Sequence, residues 1–181
     1  MKNVYIFVAS TPYNIIAEVI NLIIFAMYSP SQIADYFLSK STPERPITPM
    51  KLNKLVYIAH GWNLAIEDCP LIDEHPEAWK YGPVIPSLYH RFKNYGNSNI
   101  DYKPEAPELA QGTIELLNEV WEKYGNDTGI TLSSKTHQPG TPWYNAWNDK
   151  GKSQMSFEIS DNSIKAHYNE LLLKNIKSQG N

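Results

Sequence analysis

The stretch "TPMKLNKLVYIAHGWNLAIEDCP", Thr48–Pro70, decides the fold class. Thr48 can cap a helix, and Pro49 suits the first helical position, where its missing N–H costs nothing. Leu52, Leu55, Val56, Ala59, Asn63 and Ile66 then recur at three- and four-residue spacing, which makes one apolar helical face. The residue before a proline is pushed away from helical angles, so the helix should stop before Pro70. A helix this long and apolar needs neighbours on its buried side. It is expected to be the central element of a mainly α domain.

The flanking sequence supplies those neighbours. In "SPSQIADYFLSK", Ser29–Lys40, Ser29 is the cap, Pro30 the first position and Gln32 completes a capping box. Ile33, Ala34, Phe37 and Leu38 form its apolar face. Residues 71–81 are short, mixed and broken by Pro76, and read as two brief strands or an irregular hairpin. Pro86 opens a helix carrying Leu88, Tyr89 and Phe92 that ends near Gly96. Pro107 opens another through Tyr124, with Leu109, Leu116, Leu117, Val120 and Trp121 inward and Gly125 as its stop. "THQPGTPWYNAW", Thr136–Trp147, is a turn and then a short helix capped by Thr141, whose Trp143 and Trp147 share a face. "GKSQMSFEIS", Gly151–Ser160, reads as a polar linker. A last helix should run from about Asp161 to Lys174, with Ile164, Tyr168, Leu171 and Leu172 inward. The expected architecture is a single helical domain over residues 27–175 with a small β-hairpin, a tail over 176–181 and an N-terminal extension over 1–26.

That extension reads differently from the rest. Ile15, Ile16, Val19, Ile20, Ile23 and Ile24 lie on one helical face, but Glu18 and Asn21 interrupt the run. It falls short of the ~20 residues that span a bilayer, and contact of residues 15–25 with a membrane is not expected. The apolar run before Ser10 is short for a signal peptide. Residues 1–26 are either sequence upstream of a true start at Met27 or an added segment.

Composition excludes several function classes. With 181 residues the chain can bury a core without disulfides, and its only cysteine, Cys69, leaves none to form. A reducing, cytoplasmic location is expected. The net charge is −3 and no basic block stands out, so a nucleic-acid groove is not expected. None of the five histidines has a zinc-site partner at the right spacing, and neither a dinucleotide nor a P-loop fingerprint occurs. Cys69 sits at a helix C-terminus, where the dipole disfavours a thiolate nucleophile. Asp68, Asp73, Glu74 and Glu77 make an acidic run that is best read as a solvated loop. No cofactor, metal site or catalytic residue is expected.

Twelve tyrosines and five tryptophans remain to be explained. "EAWKYGPVIPSLYHRF", Glu77–Phe92, sets aromatics beside prolines and a glycine, and "THQPGTPW", Thr136–Trp143, repeats that grammar. Such material is either core or an interface held ready by stiff loops. Two distant segments with one grammar are most simply explained by meeting in space. The expected patch joins Trp79, Tyr81 and Pro83 to His137, Pro139 and Trp143. Trp79 and Trp143 should be largely buried, with Gly82, Pro139 and Gly140 shaping the turns. Lys80, Tyr81 and His137 would offer polar tips at the rim.

Three blocks in order, "MKLNKLVYIAHGWNLAI" (Met50–Ile66), "PLIDEHPEAWKYGPVIPSLYHRFKNYG" (Pro70–Gly96) and "LSSKTHQPGTPWYNAW" (Leu132–Trp147), resemble the Panacea domain, the SocA-like antitoxin or GepA phage-associated family. The resemblance covers roughly Met27 to Leu173. It implies a mostly helical domain with a small hairpin. It also implies a bacterial or prophage antitoxin that neutralises a toxin encoded beside it; the aromatic–proline patch read from the residues then makes Lys80, Tyr81, Pro83, His137 and Trp143 the candidate toxin-binding residues. One branch of the family implies an adaptor that hands its toxin to a ClpXP-type protease. A prophage-associated enzyme is the third reading.

Overall fold

A computed structural model describes residues 27–149 and 156–179; the extension read over residues 1–26 lies outside them. Seven α-helices and three short strands are present among the described residues.

Helix α1, Pro30–Ser39, begins as its sequence dictates. The Ser29 hydroxyl accepts from the Gln32 N–H at 3.3 Å, while the Ser29 N–H donates to the Gln32 side chain at 3.0 Å. Two orphan donors are thereby satisfied at once. Ile33, Ala34, Phe37 and Leu38 are fully buried. Helix α2, Pro49–Glu67, is capped by Thr48, whose hydroxyl accepts from the Lys51 N–H. It ends at Asp68, which takes a left-handed conformation.

α2 departs from the expected one-sided stripe. Every residue from Lys51 to Leu64 is buried, and the helix reaches solvent only at its ends, at Met50 and in the C-terminal turn, where Ile66 is 53% exposed. The helix runs through the middle of the molecule, with neighbours on every side. A helix in that position must find partners for its polar residues, because an unpaired buried polar group costs several kcal/mol. They act as staples to distant loops. Lys51 donates to the Pro46 and Gly125 carbonyls, and Asn63 to the Cys69 carbonyl. Asn53 donates to Pro49 and accepts from the Ile85 N–H. His60 accepts from the Leu71 N–H at Nδ1, which leaves Nε2 as the donor to Asp161 at 3.0 Å. Burial opposes ionisation of Asp161. The hydrogen bond from His60 and the attraction of His60 and His75 outweigh it and hold that carboxyl below its ordinary value.

The hairpin lies later than residues 71–81: β1 is Glu77–Trp79 and β2 is Gly82–Val84. They pair antiparallel, Glu77 with Val84 and Trp79 with Gly82, leaving Lys80 and Tyr81 as the turn. β2 is an edge strand, where Pro83 can sit without wasting a ladder hydrogen bond. The stretch read as a polar linker contributes β3, Phe157–Glu158, on the other side of β1. The sheet order is β2-β1-β3.

Helix α3, Pro86–Phe92, runs into a 3₁₀ turn at Lys93–Tyr95 and buries Leu88 and Phe92. Helix α4 spans Gln111–Tyr124, starting four residues after Pro107, and buries Leu117, Val120 and Trp121. Helix α5, Gly129–Thr136, was not anticipated. Its one local signal is Thr128, whose hydroxyl accepts from the Thr131 N–H. Helix α6, Pro142–Asp149, starts after Thr141, whose hydroxyl accepts from the Tyr144 N–H. Helix α7, Asp161–Gln179, extends beyond Lys174 into the expected tail. It packs along α2, with the Tyr168 ring set against Gly61.

Candidate functional site

The two aromatic–proline segments lie side by side. α6 presents Trp143, 6% exposed, whose indole Nε1 donates to the Trp79 carbonyl at 2.8 Å. This bond fastens the end of β1 to α6. Trp147, one turn on, stacks against Trp143 with centroids 5.8 Å apart and planes 12° from parallel. His137, at the end of α5, packs against the Trp143 ring with centroids 3.7 Å apart.

The turn is held from below as well. The Ser133 hydroxyl, on α5, donates to the Tyr81 carbonyl at 2.9 Å. Lys54, on α2, donates to the Pro83 carbonyl at 2.9 Å. Gly82 makes that approach feasible. Its φ is +108°, and a methyl group there would lie 2.7 Å from Lys54 Cε and 3.3 Å from His137 Cε1. Glycine is thus required twice, for backbone angle and for space.

The candidate residues therefore fall into three sets. Gly82, Pro83 and Trp143 are buried and belong to the scaffold. Trp79 is only half-buried, in contrast to the expected deep burial. It makes an edge contact with Tyr89 at 4.8 Å and donates from its indole to Glu77. Lys80 and Tyr81 stand out at the tip, with Tyr81 64% exposed. His137 is half-buried and its Nδ1 lies 2.5 Å from the Ser133 carbonyl, so it braces the turn more than it projects from it. Pro139 and Gly140 are exposed in the loop before α6, and nothing lies within 4 Å of a side-chain position at Gly140.

Lys54 lies outside the residues that the sequence pattern singles out. It is 1% exposed, among the largest fully buried side chains, and no carboxylate pairs with it among the described residues. Burial pushes its ammonium down to about 7 from 10.5. The available signal is spacing: Lys54 lies three and four positions before Tyr57 and Ile58, on a helix that also carries Lys51, Asn53, His60 and Asn63. A cleft of about 870 Å³ lies over it, walled by Trp79, Tyr81, Tyr89 and Trp147.

That shift carries a prediction. Between about 7 and 10.5 the unfolded chain holds a proton that the folded chain lacks, so folding grows more favourable as pH rises through that window. Below it both states are protonated, and the folded state bears the full cost of a buried charge. Lys54→Met should therefore stabilise the protein by about 2 kcal/mol near pH 6, as apolar replacements of buried charge often do. The gain should shrink steadily above pH 7. Urea melts at several pH values measure it, and a gain that grows with pH would contradict the buried-ammonium assignment.

Among the described residues no group of three or more His, Cys, Asp or Glu is placed to hold a metal ion. No described helix is long and apolar enough to cross a membrane. Fold and site define a helical domain that displays a rigidly braced hairpin turn. The chain belongs to the SocA-like antitoxin, Panacea domain family, whose model matches residues 52–144. It is similar to antitoxin SocA of Caulobacter vibrioides, with 29% identity over 150 residues that cover 75% of this chain and 80% of that protein. No solved structure matches the chain.

Proposed function

We propose that the protein is an antitoxin that neutralises a cognate toxin by binding it directly, with the hairpin turn as the centre of the docking face. The observation that carries this reading is family membership, with a curated relative that is named an antitoxin. The hairpin suits the role for a physical reason. Tyr81 is a large exposed aromatic on a turn held by Ser133 and Lys54 and by Trp143 through Trp79, so little entropy is lost when it docks. Lys80 beside it, 5.4 Å over the Tyr81 ring, adds a charge for steering and register.

The test is co-expression with the product of the neighbouring gene, followed by affinity measurement on purified proteins. Tyr81→Ala should weaken the complex by at least ~2 kcal/mol, the scale of an interface hot spot, and Lys80→Ala by less. Neither should change the melting temperature, since both side chains lie in solvent. Wild-type affinity in both variants would move the docking face elsewhere. Rescue at trace levels, with faster toxin loss only when a ClpXP-type protease is present, would replace neutralisation by delivery for degradation.

A further inference from the structure

The cleft over Lys54 adjoins the proposed docking tip, with Lys80 and Tyr81 lining it, and has an interior that docking at the tip does not explain. Its volume, about 870 Å³, lies within the range of small-molecule sites. Its walls are aromatic: Trp79 and Tyr89 in edge contact on one side, and Trp147 on α6 on another. Its charge is one-sided. Among the described residues Lys54, Lys80 and Lys93 line it and no aspartate or glutamate does, although the chain as a whole carries −3. The nearest carboxylate in the hydrogen-bond network, Glu77, is already engaged by the Trp79 indole and the Ser156 hydroxyl. None of the three lysines has a carboxylate partner among the described residues. A second cleft, about 720 Å³ between α2 and α4, is different in kind: Glu67, Glu115 and Glu119 line it with a single Lys123.

We propose that the aromatic cleft is a binding site for a small aromatic carboxylate, its ring seated among Trp79, Tyr89 and Trp147 and its anionic group drawn toward Lys54, Lys80 and Lys93. Apolar walls with a few polar groups orient a flat ligand, and low-dielectric walls focus the field of the lysines into the space. A singly charged carboxylate is favoured over a phosphate dianion. Its desolvation costs less, and the lining holds no arginine fork to grip a phosphate in two places. Lys54 uses one donor on Pro83 and has donors to spare. An anion nearby would favour its protonated form, so binding above neutral pH should draw in a proton.

The test is calorimetric titration of the full chain with indole-3-acetate and with its uncharged twin, indole-3-acetamide. The acid should bind more tightly by about tenfold, the worth of one charge-assisted hydrogen bond. At a pH above 8, repeating the titration in buffers of different ionisation enthalpy should reveal proton uptake with the acid alone. Lys54→Met should remove that uptake and most of the preference for the acid. The surface double variant Lys80→Gln/Lys93→Gln tests the pull on the anion without touching the buried lysine. It should weaken the acid several-fold and leave the amide unchanged. The proposal fails if neither compound binds saturably or if acid and amide bind equally. It also fails if proton uptake survives in Lys54→Met, or if uridine monophosphate binds more tightly than the acid. None of these outcomes depends on the toxin, so the antitoxin reading is judged separately.

Discussion

Trp143→Ala is expected to lower the unfolding free energy by about 3–5 kcal/mol, the usual cost of emptying a buried aromatic site. Three losses combine. A large apolar side chain leaves a place from which water is excluded. The Trp79 carbonyl loses its donor at 2.8 Å, and the end of β1 is no longer fastened to α6. His137 and Trp147 each lose a ring partner, at 3.7 and 5.8 Å. For a domain of this size each kcal/mol moves the melting temperature by about 2–4 °C, so the transition should fall by roughly 10 °C. The size of the loss separates the scaffold reading of Trp143 from an exposed-contact reading. Trp143→Phe should recover about half, since it refills most of the space but cannot donate to Trp79. A melting curve within a degree of wild type for the alanine variant would show that Trp143 does not hold the hairpin.

The second large effect is expected at Gly61. Alanine in the middle of an ordinary helix is about 1 kcal/mol better than glycine. Here the sign should reverse. A methyl group at Gly61 would lie 2.2 Å from Cε2 of Tyr168 and 2.5 Å from two further ring atoms. The ring cannot slide aside, because Trp62 meets it edge-on at 5.1 Å and Tyr57 at 6.5 Å. α7 must therefore lift from α2, and overpacking of this kind costs about 1–3 kcal/mol or more. A net destabilisation of about 2 kcal/mol is expected, with the C-terminal helix exchanging its amide protons fastest. Adding Tyr168→Leu to Gly61→Ala should restore part of the loss, a coupling that two independent sites would not show. A Gly61→Ala protein as stable as wild type would refute the close approach of the two helices.

The locally encoded features were legible. Ser29, Thr48 and Thr141 cap helices with their own side chains, and Pro30, Pro49, Pro86 and Pro142 mark first turns. The pairing of Trp143 with Trp147 follows from helical spacing alone. Elements with weak local signals were lost. α5 is eight residues, five of them serine, threonine or lysine, with only Leu132 among its apolar side chains buried, too short to show a period. β3 is two residues long, and its strand character exists only because β1 lies beside it. Pro107 looks like a first-turn proline and points to an early start for α4, yet the helix waits until Gln111.

The sequence by itself determined the class of the protein, the positions of most helices and the three segments that carry the family pattern. Those are matters of period, capping and order along the chain, and each depends on residues within a few positions of one another. Only the tertiary structure decided that α2 is buried on every side, that its polar residues hold distant loops and that Tyr81 stands at an exposed tip. It alone decided that Lys54 lies under Gly82 with a cleft above it. A lysine in a helix is ordinarily a solvated charge. Whether it becomes a buried ammonium pushed toward neutrality depends on what packs over it, here a turn 29 residues away along the chain.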